Sequence, residues 1–237
     1  MKASRPSSSK TIEAMGIRRH LLRFVGGAVA IALGMVLTNT RAGADMVDMT
    51  GVEPWDVCGG CHGLDGAGNR IRFPRLGGQK PSYIVKQLKD FRAGRRQNDG
   101  GQMQKMATEL TEADIPRVAE WFADQTPPWP KPTIEEGDDP ARARRLATTG
   151  TDGIPACLSC HSVAALRLTD RPVVAPRLAG QYDYYIAKQL ADFRDGRRSN
   201  DSDRVMRQIA VKLSDADIAG LAVFLSQNPS LHDEVVP

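Results

Sequence analysis

The 237-residue chain has four cysteines, and all of them fall into two short runs, Cys58-Gly59-Gly60-Cys61-His62 and Cys157-Leu158-Ser159-Cys160-His161. Two thiols at this spacing can add to the two vinyl groups of one haem. The histidine that follows is then held beneath the iron as its proximal ligand. Zinc, the competing use of such thiols, needs four N or S donors, whereas each run supplies three in a cramped stretch. One zinc shared by both runs would leave their duplicated surroundings unexplained. A disulfide framework, the common use of paired cysteines in an exported chain, does not account for the spacing. The two runs therefore predict two covalently bound haem c groups. One sits on Cys58 and Cys61 and the other on Cys157 and Cys160, with His62 and His161 as iron ligands.

The ligand on the far side of each iron separates electron transfer from catalysis. An open or exchangeable position can bind oxygen, peroxide or substrate, whereas two protein ligands mainly leave electron exchange. Beyond residue 44 the histidines are His62, His161 and His232, so bis-histidine ligation at both irons is impossible within one chain, and no cysteine is spare. Lysine or an open site survives this count, but methionine is available. The second half offers only Met206, eight residues before Ser214, and eight residues before the matching Thr111 stands Met103. At the same offset Met106 matches Ile209, which cannot bind iron. The frame points to Met103 and Met206 as axial ligands and to Met106 as packing. A one-turn register change would exchange the two, since positions i and i+3 share a helix face. A thioether favours ferrous iron, so two six-coordinate haems of moderately high potential are expected.

The elements that must position these groups occur twice. Phe73 to Asp99, FPRLGGQKPSYIVKQLKDFRAGRRQND, matches Ala175 to Asp201, APRLAGQYDYYIAKQLADFRDGRRSND, at an offset of 102. The cysteine runs are offset by 99, so the loop after the second is three residues longer. LTEADI from Leu110 matches LSDADI from Leu213 at an offset of 103. Apolar residues at helical spacing (Ile84, Leu88, Phe91; Ile186, Leu190, Phe193) predict a helix in each half, with Pro81 in the first turn of one and Gly94 near its end. Thr111 with Asp114, and Ser214 with Asp217, predict capped final helices. No segment alternates as a strand would. The fold class is therefore all-α, two tandem domains each wrapped round one haem, and the cofactor compensates for the small core that domains of this size can build.

The first 44 residues read as a secretory signal: basic residues to Arg23, the apolar run Phe24 to Leu37, and a small-x-small site at Ala42-Gly43-Ala44. The apolar run is shorter than the roughly 18 residues of a membrane-spanning helix, which argues against an uncleaved anchor. Arg18-Arg19 hints at a twin-arginine signal, but an ordinary basic region is the simpler reading. Cleavage after Ala44 leaves a soluble exported protein, with Met46 and Met49 as surface or packing residues. The segment holds seven basic residues and one acid, so the remainder carries 25 basic and 27 acidic groups, a formal charge of −2. That removes the main support for nucleic-acid binding. The expected organisation is 45–125 for domain one, 126–139 for a stiff proline-rich linker, and 140–237 for domain two, opening on Asp139-Pro140. An opening helix in domain one, near Val47–Val57, carries Pro54 and looks short.

Two C-x-x-C-H units, each followed by P-x-L-x-G-Q, Y-I-x-K-Q-L-x-D-F-x-x-G-R-R, a methionine and L-[ST]-x-x-D-I, resemble the dihaem cytochrome c4 family over essentially all of the chain beyond residue 44. The resemblance implies two class I cytochrome c domains about a pseudo-two-fold axis, with the haems close through their propionate edges. It implies that the carbonyls of Pro74 and Pro176 accept hydrogen bonds from the proximal histidines, fixing their orientation. It further implies a periplasmic carrier, peripheral to the membrane, between a quinol-oxidising cytochrome bc complex and a terminal oxidase. Two departures stand out: the second motif continues with Ser162-Val163-Ala164-Ala165-Leu166-Arg167, without the glycines that follow the first, and the opening helix carries Pro54. The rival readings are the cytochrome subunit of a flavocytochrome or other dehydrogenase, and an enzyme such as a dihaem peroxidase or a thiosulfate-oxidising cytochrome. The last needs an open or differently ligated iron. The basic runs Lys89–Arg96 and Arg194–Arg198 read either as a docking surface for an acidic partner or as solvated helix ends.

Overall fold

The computed structural model describes residues 51–130, 139–151, 153–162 and 174–232. The expected signal segment, Met46, Met49, linker residues 131–138 and the longer loop after the second motif lie outside the described residues. Among the described residues the chain is helical, its only bridge pairs being Asn69 with Phe73 and Thr151 with Ile154.

The first half holds α1 (Pro54–His62), α2 (Pro81–Arg92), α3 (Gln102–Thr108) and α4 (Asp114–Asp124). Pro54 is not inside an opening helix, as the sequence suggested, but begins α1. At the first helical position its missing N–H costs nothing, because that donor has no partner within the helix. The Glu53 N–H donates to Asp56 Oδ2 at 3.0 Å and steadies this start. Pro81 begins α2 in the same way, and Gly94, at φ +67°, turns the chain just beyond its end. Thr111 and Asp114 exchange bonds at the start of α4: Thr111 N–H to Asp114 Oδ2 at 3.0 Å and Asp114 N–H to Thr111 Oγ1 at 3.2 Å. The apolar faces of α2 and α4 meet in a core of Ile84, Leu88, Phe91, Ile115, Val118 and Phe122.

The second half holds α5 (Pro140–Thr148), α6 (Leu158–His161), α7 (Asp183–Arg194), α8 (Val205–Ala210) and α9 (Asp215–Gln227). Asp139 caps α5, accepting from the Arg142 N–H at 2.8 Å, and Ser214 caps α9. Its core is built on Leu146, Leu158, Ile186, Ile218, Leu221 and Leu225. The halves differ at one packing site. In the second, α5 lies on α9 with Ala143 over Gly220, where a β-carbon would come within 3.3 Å of the Ala143 methyl. Arg117 holds the Gly220 position in the first half, at the repeat offset of 103. It stands over the Trp55 ring at 5.2 Å and pairs with Glu53, while Trp55 stacks on Trp121 with centroids 4.7 Å apart. Aromatic stacking from α1 thus covers the face of α4 that a helix covers on α9.

The halves join through reciprocal polar contacts. Gln181 accepts from the Arg75 N–H at 3.0 Å and donates to the Arg75 carbonyl at 2.9 Å; Gln79 accepts from the Arg177 N–H at 2.8 Å and donates to the Arg177 carbonyl at 3.1 Å. Arg96 donates to the Tyr185 hydroxyl and Gln189 at 2.9 and 3.1 Å, and Arg198 to the Tyr83 hydroxyl and Gln87, both at 3.0 Å. Each of these bonds has its partner in the other direction, as a pseudo-two-fold axis requires, whereas the ion pair of Arg70 with Asp183 has no counterpart among the described residues. This corrects both readings of the basic runs for Arg96 and Arg198 alone, since Lys89, Arg95 and Arg197 stay exposed. Arg96 and Arg198 are 5 % exposed and build the joint between the halves. Arg95 and Arg197 pair with Asp90 and Asp192, and Arg92 and Arg194 with Glu112 and Asp215. The linker is also more than a spacer. Arg75 donates to the carbonyls of Pro127 and Pro128 at 2.5 and 2.7 Å and lies over the Trp129 ring at 4.5 Å. The absence of a side chain at Gly180 admits that indole, since a β-carbon there would come within 2.4 Å of it.

Candidate haem sites

In α1, Cys58, Cys61 and His62 occupy positions i, i+3 and i+4, so a single helix turn presents all three to one side. In the second half Cys157 precedes the short α6, which ends on Cys160 and His161. No disulfide joins the four cysteines. Burial pushes the Cys58 and Cys157 thiols, as they stand before haem attachment, up to about 11. Both imidazoles are buried, which lowers their basicity; His161 is pushed down to about 4 by burial, with Lys80 and Arg198 acting in the same direction.

The proximal geometry is the same in both halves. His62 Nδ1 lies 2.9 Å from the Pro74 carbonyl oxygen and His161 Nδ1 lies 2.8 Å from that of Pro176. A carbonyl only accepts, so each Nδ1 carries the proton and each Nε2 keeps its lone pair for a metal. The carbonyl fixes the ring and makes it a better donor. Gly68 braces the first of these contacts. Its N–H donates to the His62 carbonyl at 2.7 Å, its φ is +75°, and a β-carbon would come within 2.6 Å of the Phe73 and Pro74 oxygens.

A cavity of about 870 Å³ connects the two sites. Its walls include Cys58, Cys61, His62 and Met103 from the first half and Cys157, Cys160, His161 and Met206 from the second. Met106 and Ile209 line it too. Met103 also packs on the first core, while in the second half it is Ile209 that does so. The backbone supports the repeat frame. Gly100 and Gly101, at φ +74° and +87°, lead into α3; Asp203 and Arg204, at φ +52° and +58°, lead into α8. In each half the methionine stands two residues after this left-handed pair, and Ala107 and Ala210 are fully buried in the same frame.

The donor set fits haem at both places: two thiols, an imidazole with one nitrogen committed and the other available, and a methionine on one apolar-walled cavity. Zinc is a poor fit, because among the described residues no three His, Cys, Asp or Glu side chains converge on a metal position. What the sequence did not disclose is the polar surround. Gln87, Gln189, Arg96, Arg198, Tyr83 and Tyr185 line the same cavity. Although burial works against it, Arg198 and Arg96 hold the Tyr83 phenol below its usual range. The available signal was a glutamine kept in both copies on the core-facing side of an amphipathic helix.

Comparison with known proteins agrees with this geometry. Residues 49–125 match the cytochrome c family model. The cytochrome c4 of Azotobacter vinelandii is 39% identical over 185 residues, covering 71% of this chain and 83% of its own. A thiosulfate dehydrogenase electron acceptor of Thiomonas intermedia is 35% identical over 178 residues, covering 73% and 78%. The solved cytochrome c4 structure of Acidithiobacillus ferrooxidans superposes with a TM-score of 0.61 at 32% identity, over 73% of this chain and 99% of that one. With two class I cytochrome folds, two haem c groups and a role in electron transfer, the chain belongs to the cytochrome c4 family.

Proposed function

We propose that this protein is a periplasmic carrier of single electrons. Haem one is attached through Cys58 and Cys61 and ligated by His62 and Met103; haem two is attached through Cys157 and Cys160 and ligated by His161 and Met206. The domains span 45–125 and 140–237 with the linker between them, and export follows cleavage after Ala44. The observation that carries the reading is the pairing of each imidazole Nδ1 with a proline carbonyl, at 2.9 and 2.8 Å, beside a methionine in the same backbone frame. Such an arrangement suits an iron closed on both sides, which exchanges electrons and binds no substrate. The haems supply the redox chemistry; the chain holds them, shields them from water and sets their electrostatics. The donor is a quinol-oxidising bc complex and the acceptor a terminal oxidase.

Redox titration with optical spectra tests this. Two low-spin haems with a methionine-to-iron charge-transfer band are expected, and a resting high-spin ferric haem would overturn the carrier reading. A second reading has specific support: the Thiomonas intermedia relative is named as an electron acceptor of thiosulfate dehydrogenase. On that reading a periplasmic dehydrogenase feeds this chain. Reduction on mixing with thiosulfate and a thiosulfate dehydrogenase, and not with quinol-reduced bc complex, would favour it.

A further inference from the structure

Lys80 breaks the duplication. It immediately precedes α2, and Tyr182 stands at the matching position of the second half. Its side chain does not stay with its own half. It is 3 % exposed, and its Nζ donates to the Ser162 carbonyl at 3.4 Å. Ser162 is the residue after His161, and it is itself 2 % exposed. Among the described residues Lys80 forms no ion pair, and the nearby Arg177 adds a charge of the same sign. A buried cation is felt strongly by its neighbours, because little water remains to screen it.

The geometry points to Lys80 as a residue of the first half that raises the reduction potential of the second haem. Ferric iron carries one more positive charge than ferrous iron, so a fixed cation beside the His161 loop favours the reduced state. The mirror position is filled by a phenol, so the first haem receives no matching charge from the second half there. Lys80 thus biases electrons toward the second haem. The inference rests on the proposed ligation of haem two by His161.

The test uses the full-length, haem-loaded protein. Lys80→Met and Lys80→Gln remove the charge, and Lys80→Arg keeps it. Each is titrated in a Met103→Ala background, where the first haem is marked by a high-spin spectrum and the low-spin signal belongs to the second. Both neutral variants are expected to shift the second haem about tenfold toward the ferric form, 59 mV for one electron. The arginine variant is expected to stay within about threefold of the parent. An unchanged second haem in either neutral variant, or an arginine variant that shifts as far as the methionine one, overturns the role of Lys80. If Met103→Ala leaves both haems low-spin, the methionine assignment fails on its own. The Lys80 shift is then read from the two-step titration of the otherwise unaltered chain, where a shift in one step supports it and none overturns it.

Discussion

At the scale of the residue, two methionines three positions apart share a cavity wall, and only the frame of the repeat separates them. Met103 follows its left-handed pair by two residues, as Met206 follows its own. Met103→Ala is therefore expected to abolish six-coordination at the first haem, giving a high-spin ferric spectrum, while Met106→Ile leaves that spectrum nearly unchanged. Reversal of the two results would exchange the assignments. Gly68 supports the opposite side of the same iron. A β-carbon there would strike the Pro74 carbonyl that receives His62. Gly68→Ala should cost about 1–3 kcal/mol in stability and alter the first haem's spectrum, read by denaturant unfolding and absorbance, with the second haem unaffected. The two Cys-x-x-Cys-His runs were legible in the sequence, because attachment chemistry demands a fixed local spacing, whereas the proline carbonyls were expected only from the family resemblance and are found beside the histidines. Gly68 was not singled out, since its role depends on a carbonyl brought back to it by a loop.

At the scale of the element, caps and apolar periodicity were readable and the left-handed pairs were not. Gly100 and Gly101 hint at such a pair, but nothing in Asp203-Arg204 marks the same conformation. Non-glycine residues pay for it in strain, which follows from matching α8 to α3. Replacing both Asp203 and Arg204 with glycine is expected to stabilise the protein by about 1 kcal/mol, measured as a raised denaturation midpoint with an unchanged haem spectrum. The α5–α9 clamp carries a pH dependence. The Arg142 guanidinium, bonded to both Asp217 carboxylate oxygens, holds that carboxyl at about 2 against the opposing effect of burial, and Ser214 assists. A depressed carboxyl stabilises the fold fully above its unfolded value of roughly 3.9, and the contribution is lost as pH falls from there toward about 2. Asp217→Asn should flatten the stability profile across that window and lower stability at neutral pH. An unaltered slope in acid unfolding would contradict the clamp.

At the scale of the whole molecule, the duplicated segment does two jobs: its apolar residues build two cores, and its polar residues join them. Read along one chain, Arg96 and Arg198 look like helix-end or surface groups; in the fold they are buried and bond across the joint to Tyr185 and Gln189, and to Tyr83 and Gln87. Each of Gln79 and Gln181 satisfies the N–H and the carbonyl of an arginine across the joint. Removing either amide strands three backbone groups, the arginine N–H and carbonyl and the N–H of the residue after the glutamine, at about 1–3 kcal/mol for each one left buried and unpaired. The two cores share no buried residue, so each half can in principle unfold separately once the joint is weak. In the haem-loaded protein, Gln79→Ala with Gln181→Ala is therefore expected to split a single calorimetric transition into two, with each single variant lowering the midpoint of one transition. The haem spectra should persist at low temperature, because neither glutamine holds an iron ligand. If the double variant still unfolds in one step at the parent's temperature, the joint resides instead in the Arg96 and Arg198 contacts with Tyr185 and Tyr83. The corresponding arginine variants would then carry the split.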